Sequence, residues 1–202
     1  MNSKDFWDAR YSQNPESWGE EPNQFLREVD LNGLSSAVDL AGGNGRNSLW
    51  LASQGLSVEN IDISSVALDQ YMLRAELQGL ENRCLRNESD ALQAKFSFAP
   101  DLLLVAYLQI PSEQLQRALK NALEQLNGGA RVLGVWHAVE NLEEGFGGPQ
   151  DESVLVSAVQ LEQFAESYSW AELNIQNRQR VVPTEDGDRV AIDVVLFGQL
   201  EV

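Results

Sequence analysis

Residues 38–64 read VDLAGGNGRNSLWLASQGLSVENIDIS. An apolar strand over 36–41 runs into a glycine cluster. A helical segment over 46–54 follows, with Gly55 as its C-terminal stop. A second apolar strand over 57–63 carries Asp62 near its end. Glycine suits the first turn for two reasons. The backbone must swing sharply into a helix, and a ligand must approach the main chain closely; both demands exclude a Cβ. A carboxylate at the end of the second strand can accept hydrogen bonds from ribose hydroxyls. This is the outline of a nucleotide-binding crossover.

The rest of the chain extends the alternation. Residues 22–30 look helical. Ser64 is placed to cap a helix of about fourteen residues that ends at Gly79. A weak strand follows at 83–88. DLLLVAYL at 101–108 is a continuous apolar run, the mark of a strand buried on both faces. In SEQLQRALKNALEQLNGG, Leu115, Leu119, Ala122, Leu123 and Leu126 recur at helical spacing, and Gly128 and Gly129 end the helix. ARVLGVW at 130–136 is another strand. Strands alternating with helices imply right-handed crossovers and a doubly wound parallel sheet with helices on both faces. After a helix near 158–168 the rhythm breaks. Strand-like segments at 172–182 and 189–198 flank the turn-rich PTEDGD, which is too short for a helical crossover. They must pair antiparallel. The expected fold is therefore α/β and Rossmann-like: a mostly parallel, seven-stranded sheet ending in an antiparallel hairpin.

Two cofactors fit the glycine turn. Gly43, Gly45 and Ser48 nearly satisfy the dinucleotide fingerprint, with Asp62 at a suitable distance along the chain. S-adenosylmethionine (SAM) fits as well. Asp39, at the end of the first strand, would face a pyrophosphate unfavourably and a cationic amino group and sulfonium favourably. The C-terminal hairpin also leans towards SAM, because a dinucleotide-binding half does not usually end that way.

Composition bounds the remaining choices. The chain has 202 residues, 43% of them hydrophobic and 22% charged, which fits one globular domain spanning 1–202. No apolar run approaches ~18 residues, so no membrane helix is expected, and the N-terminus does not read as a signal peptide. A single cysteine, Cys84, allows no internal disulfide and fits a cytoplasmic protein. With 31 acidic and 14 basic residues the formal net charge is −17, a surface that repels nucleic acid and anionic lipid. The expected partner is a small molecule; oligomeric state is not readable. One histidine and one cysteine offer no metal-ligand cluster.

Taken together, these residues resemble the class I SAM-dependent methyltransferases, and more narrowly the tellurite-resistance (TehB-like) and thiopurine methyltransferase group. The resemblance covers nearly the whole chain. FWDARYSQNPESWGEEPNQFL is similar to that group's N-terminal segment, and DLAGGNGRNSLWLASQG to its strand–turn–helix. AYLQIP and LNGGARVLGVWHA match its fourth and fifth strand regions, and GFGGPQD its glycine-rich loop. The resemblance implies that Asp39, Gly43 and Gly45 hold the methionine end of SAM. It implies that Asp62 binds the ribose, Ile63 lies against adenine, and Asp90 and Ala91 read the adenine amino group. Val105 and Ala106 would close the pocket, and Trp7, Tyr11 and Trp18, within an N-terminal segment 1–33, would fold over the cofactor. Ala41 stands where glycine is commonest and is expected to keep a negative φ. Gln109 replaces a histidine often seen in YLHLP, and WHAVEN departs from the group's usual segment.

Methyl transfer is an in-line displacement at an already activated carbon, so orientation and desolvation carry much of it. A base is needed only if the acceptor must lose a proton. His137, after the fifth strand, is the candidate base or substrate contact. Tyr107, at the end of the fourth strand, is a candidate to orient the acceptor. Arg46 is placed to meet the SAM carboxylate or an anionic substrate. Cys84 reads as a small buried filler. The implied activity is methyl transfer to a thiol, chalcogen oxyanion or similar soft nucleophile. The alternatives are an NAD-dependent oxidoreductase and a non-catalytic SAM-binding module.

Overall fold

A computed structural model describes residues 3–14 and 19–202. Seven strands form one sheet: β1 (Ser36–Leu40), β2 (Ser57–Asp62), β3 (Cys84–Glu88), β4 (Leu102–Ala106), β5 (Arg131–His137), β6 (Trp170–Val182) and β7 (Arg189–Leu200). Their order across the sheet is β3-β2-β1-β4-β5-β7-β6. The first five are parallel; β7 runs antiparallel to both β5 and β6. The short PTEDGD turn dictates that last pairing, as the sequence implies.

Among the described residues six α-helices surround the sheet: α1 (Ser3–Gln13), α2 (Arg46–Ser53), α3 (Ser65–Leu77), α4 (Ser112–Leu123), α5 (Asn141–Glu144) and α6 (Ala158–Ala165). Successive strand residues serve opposite faces, so each parallel strand feeds two cores. Val38, Leu40, Leu103 and Val105 pack with Leu115 and Leu119 of α4 and Leu161 of α6. Ala37, Leu102 and Leu104 pack with Leu49 and Leu51 of α2, Tyr71 and Ala75 of α3, and Phe25 and Leu26. A strand buried on both faces must read as an unbroken apolar run, which is why DLLLVA does.

Local signals set the helix boundaries. Ser64 Oγ accepts the Ala67 amide and caps α3. Ser157 and Gln160 form a reciprocal capping box at α6. Several expected elements are shorter than the sequence suggests: α4, for one, stops at Leu123, ahead of Leu126 and the Gly128–Gly129 pair. The helix anticipated over 22–30 is one 3-10 turn, Gln24–Glu28, whose Asn23 side chain accepts the Phe25 amide. Its apolar residues plug a sheet face rather than forming a stripe. The helix near 158–168 stops at Ala165, where the chain turns into β6. The strand over 101–108 ends at Ala106, because Tyr107 takes φ +60° and leaves the extended region. Among the described residues no helix is long and apolar enough to cross a membrane.

Candidate active site

The carboxyl ends of β1, β2, β4 and β5 converge, and the candidate residues gather there. The turn after β1 is tied to β2 by the Gly42 amide, which donates to Ile61 O at 3.2 Å. The Gly43 amide donates to Asp62 Oδ2 at 2.8 Å, and Asn60 Nδ2 donates to Gly43 O at 3.0 Å. Asp62 Oδ1 accepts the Ser64 amide at 2.8 Å. The Asp62 carboxylate thus ties the turn to the start of α3, and burial raises its pKa against those hydrogen bonds.

Ala41 corrects an expectation. Its φ is +60°, not negative. The left-handed residue brings the Gly42 and Gly43 amides round to Ile61 O and Asp62, and alanine accepts this at roughly 1–2 kcal/mol. Glycine is demanded further on. Gly45 has φ +82°, and a Cβ there would fall 2.1 Å from Tyr71 Cδ2. At Gly43 (φ +56°) a Cβ would fall 2.2 Å from the Tyr11 hydroxyl.

Asp39 is fully buried. Ser48 Oγ donates to its Oδ2 at 2.7 Å. Burial lifts its pKa from 3.8 to about 6, with Ser48 and Arg46 opposing and Asp62 reinforcing the rise. Asp39 Oδ1 and Asn60 Oδ1 have no hydrogen-bond donor among the described residues. Unsatisfied buried acceptors are each worth ~1–3 kcal/mol of destabilisation. They suit a ligand that brings N–H groups and positive charge, and they repel a pyrophosphate. On this observation the residues fit the aminoacyl end of SAM.

The N-terminal helix covers the turn. Asp8 on α1 accepts Ser64 Oγ at 2.7 Å and the Val66 amide at 3.3 Å, at the start of α3. Lys4 bridges Asp8 at 2.9 Å and Glu88 at 3.1 Å. Gln70 Nε2 donates to Tyr11 O at 3.0 Å. This docking buries Tyr11 above Gly43 and holds Trp7 beside it, ring centroids 6.0 Å apart. Trp18 lies outside the described residues. Ile63 is half-buried just after β2. Asp90 sits in the turn after β3, half-buried, with its Oδ1 accepting the Leu92 amide at 2.9 Å. Ala91 and Val105 are buried in the core cluster facing α4, behind the sheet's edge, while Ala106 is half-buried.

A second cluster lies beyond β4. Tyr107 is held by its amide on Val135 O at 2.8 Å. Its hydroxyl donates to Asp193 Oδ2 at 2.9 Å, and Arg180 Nε donates to the same oxygen at 2.8 Å. The Tyr107 and His137 rings stack with centroids 4.8 Å apart. His137 Nδ1 lies 3.1 Å from Asp193 Oδ1, a close approach short of an aligned hydrogen bond. Gln109 braces this end: its Oε1 accepts the His137 amide at 3.2 Å and its Nε2 donates to Val154 O at 2.7 Å. Burial would raise the Asp193 carboxyl, but His137 and Arg180 outweigh it and the net shift is downward. Burial, then Asp193, raises Tyr107, so its phenol stays protonated. Burial lowers Arg46, with Tyr107, Asp39 and Tyr11 opposing and Arg180 reinforcing. The first residue of α2 therefore joins the two clusters electrostatically.

Sequence reasoning missed Asp193, Arg180 and Asn60. Asp193 had a signal, a charge inside the apolar run VAIDVVLF, and Asn60 had a weaker one, a neutral polar residue in SVENIDI. Arg180, in a polar strand, had none. Cys84 is buried as expected. A broad groove between Val29, Leu133, Leu173 and Phe197 opens at the amino end of the strands and contains none of the candidate side chains.

The fold is that of a class I methyltransferase. The chain belongs to the TehB family: the family described as tellurite resistance protein TehB matches residues 2–194. A search of curated proteins by sequence finds no match. The TehB crystal structure from Haemophilus influenzae superposes with TM-score 0.72 at 17% identity, covering 97% of this chain and 67% of that one. The N-methyltransferase NodS from Bradyrhizobium japonicum, in complex with S-adenosyl-L-homocysteine (SAH), gives TM-score 0.73 at 16% identity over 99% of both chains. A structure associated with conversion of a disulfide bond into a thioacetal group during echinomycin biosynthesis gives 0.76 at 17% identity, covering 99% and 92%.

Proposed function

We propose that the protein transfers the methyl group of SAM to a small, anionic, soft nucleophile such as a thiolate or a chalcogen oxyanion. The observation that carries this reading is the pairing of two unlike half-sites. One half, around Asp39, Asn60 and Asp62, presents buried acceptors to a cation. The other sets Arg46 and Arg180 within electrostatic reach of Tyr107. When bound, SAM supplies an electrophilic methyl group and leaves as a neutral thioether.

The chain's own residues do the rest. Asp39 and the Gly43–Gly45 turn hold the aminoacyl end, with Arg46 near the SAM carboxylate or the acceptor. Asp62 holds the ribose; Ile63, Asp90 and Ala91 define the adenine end, with Val105 and Ala106 behind it. Tyr11, with Trp7, excludes water from above. Tyr107 orients the acceptor, and His137 takes its proton where there is one. A −17 chain disfavours a nucleic-acid acceptor, and the reading places the protein in the cytoplasm.

Calorimetric titration with SAM, SAH and NAD tests the reading. Binding of both adenosyl ligands without NAD is expected. Mass spectrometry of products after incubation with SAM and selenite, tellurite or small thiols then tests the acceptor. NAD binding alone would support an oxidoreductase; adenosyl binding with no methylated product from any of these acceptors would support a non-catalytic module.

A further inference from the structure

His137 and Asp193 are opposite one another in the antiparallel β5–β7 pair. Cross-strand partners on one face bring their side chains together without any loop to position them. Asp193 is fully buried. Its Oδ2 is committed twice, to the Tyr107 hydroxyl and to Arg180 Nε. Its Oδ1 has no hydrogen-bond partner among the described residues, and neither has His137 Nδ1; these two buried atoms lie 3.1 Å apart. One proton on Nδ1 satisfies both after a small ring rotation. It also fixes the tautomer, because the neutral imidazole then carries a lone pair on Nε2, on the far side of the ring.

The surroundings hold that ring. Tyr107 stacks on one side. Gly148 backs it closely: a Cβ there would fall 2.9 Å from His137 Cγ. Asn141 fixes the glycine-rich loop, its Nδ2 donating to Gly147 O at 2.8 Å and its Oδ1 accepting the Ile192 amide at 2.7 Å. The charged and titratable groups around the pair are Arg180 from β6, Tyr107 after β4, and Arg46 from α2, which acts on Tyr107 and Arg180.

We propose that Asp193 is a positioning residue that keeps the proton of His137 on Nδ1, so that Nε2 is the base that accepts the acceptor's proton. This rests on the methyltransferase reading. As the acceptor's lone pair bonds to the methyl carbon, the carbon–sulfur electron pair leaves on sulfur and the acceptor's proton moves to Nε2. One positive charge is lost at sulfur and one appears on the imidazolium, where Asp193 faces it. Arg180 and Tyr107, donating to the other Asp193 oxygen, keep the carboxylate turned to the ring. Acceptors that arrive with a proton, such as thiols, thereby become substrates alongside preformed anions.

The histidine is the only one in the chain, so its signals need no assignment. Tag-free protein labelled with 15N-histidine is examined by long-range proton–nitrogen correlation at alkaline pH, without cofactor. The expected result is a protonated Nδ1 and an unprotonated Nε2. In Asp193→Asn the amide donates to Nδ1 and the proton moves to Nε2, while SAH affinity by calorimetry stays within about threefold of wild type, less than ~1 kcal/mol. A protonated Nε2 in the wild type overturns the proposal, whether or not the variant folds. So does an unchanged tautomer in a folded Asp193→Asn. Correct tautomers with no SAH binding overturn the methyltransferase reading instead, and the dyad's role with it.

Discussion

Asp39 makes the acidic half-site testable without any substrate. Its carboxyl is fully buried, and its pKa rises from 3.8 to about 6, mainly through burial. The native state then binds a proton more tightly than the unfolded chain does. Stability is highest below pH 3.8 as far as this group is concerned, and it is lost as pH rises through about 6. At about 1.4 kcal/mol per tenfold change in proton affinity, the loss is roughly 3 kcal/mol. Asp39→Asn keeps an oxygen for Ser48 and removes the buried charge. The variant is expected to be more stable than wild type at neutral pH by about 1–3 kcal/mol, an advantage that vanishes towards about pH 4. Urea unfolding of both proteins across that range measures it. On the proposed role of Asp39, the variant also loses the anion that would face the ligand's ammonium, so SAH affinity is expected to fall as stability rises. Difference curves flat to within about 0.5 kcal/mol would refute the reasoning, because they would mean that Asp39 is solvated or compensated in the native state.

Asp62→Ala removes the acceptor of the Gly43 and Ser64 amides and, on the proposed role, the ribose contact. SAM affinity is expected to fall at least tenfold, ~1.4 kcal/mol, by calorimetry; unchanged affinity would move the ribose elsewhere. Gly45→Ala forces a Cβ to 2.1 Å from the buried Tyr71 ring at φ +82°. The loss of unfolding free energy combines a left-handed alanine, ~1–2 kcal/mol, with overpacking, ~1–3 kcal/mol. A loss below about 1 kcal/mol in urea would show that Tyr71 can move aside. Asp8→Ala removes a carboxylate that holds α1 on the start of α3. Stability is expected to drop by about 1 kcal/mol, with faster proteolysis within α1 and weaker SAH binding; unchanged cleavage would mean that α1 is held elsewhere.

The sequence by itself determined the sheet and one half of the site. Residues 36–63 carry strand, glycine turn, helix, strand and terminal acid in one short stretch, so local pattern and local contact coincide there. Asp39, Gly43 and Asp62 could be singled out from the strand ends and the glycine turn, while the roles expected of them came from the family resemblance. The short PTEDGD turn likewise left the last two strands no pairing but an antiparallel one. Tertiary structure decided the other half. Asp193 lies far from His137 and Tyr107 in the chain, and only the β5–β7 register sets them face to face. Arg46 and Arg180 meet around Tyr107 because α2 begins and β6 ends at the same edge of the sheet. Ala41 took a left-handed conformation against its own preference, because the hydrogen bonds from the turn to β2 outweigh a cost of roughly 1–2 kcal/mol. Periodicity reports which face of an element is buried; it carries no information about which distant side chain will occupy the space opposite.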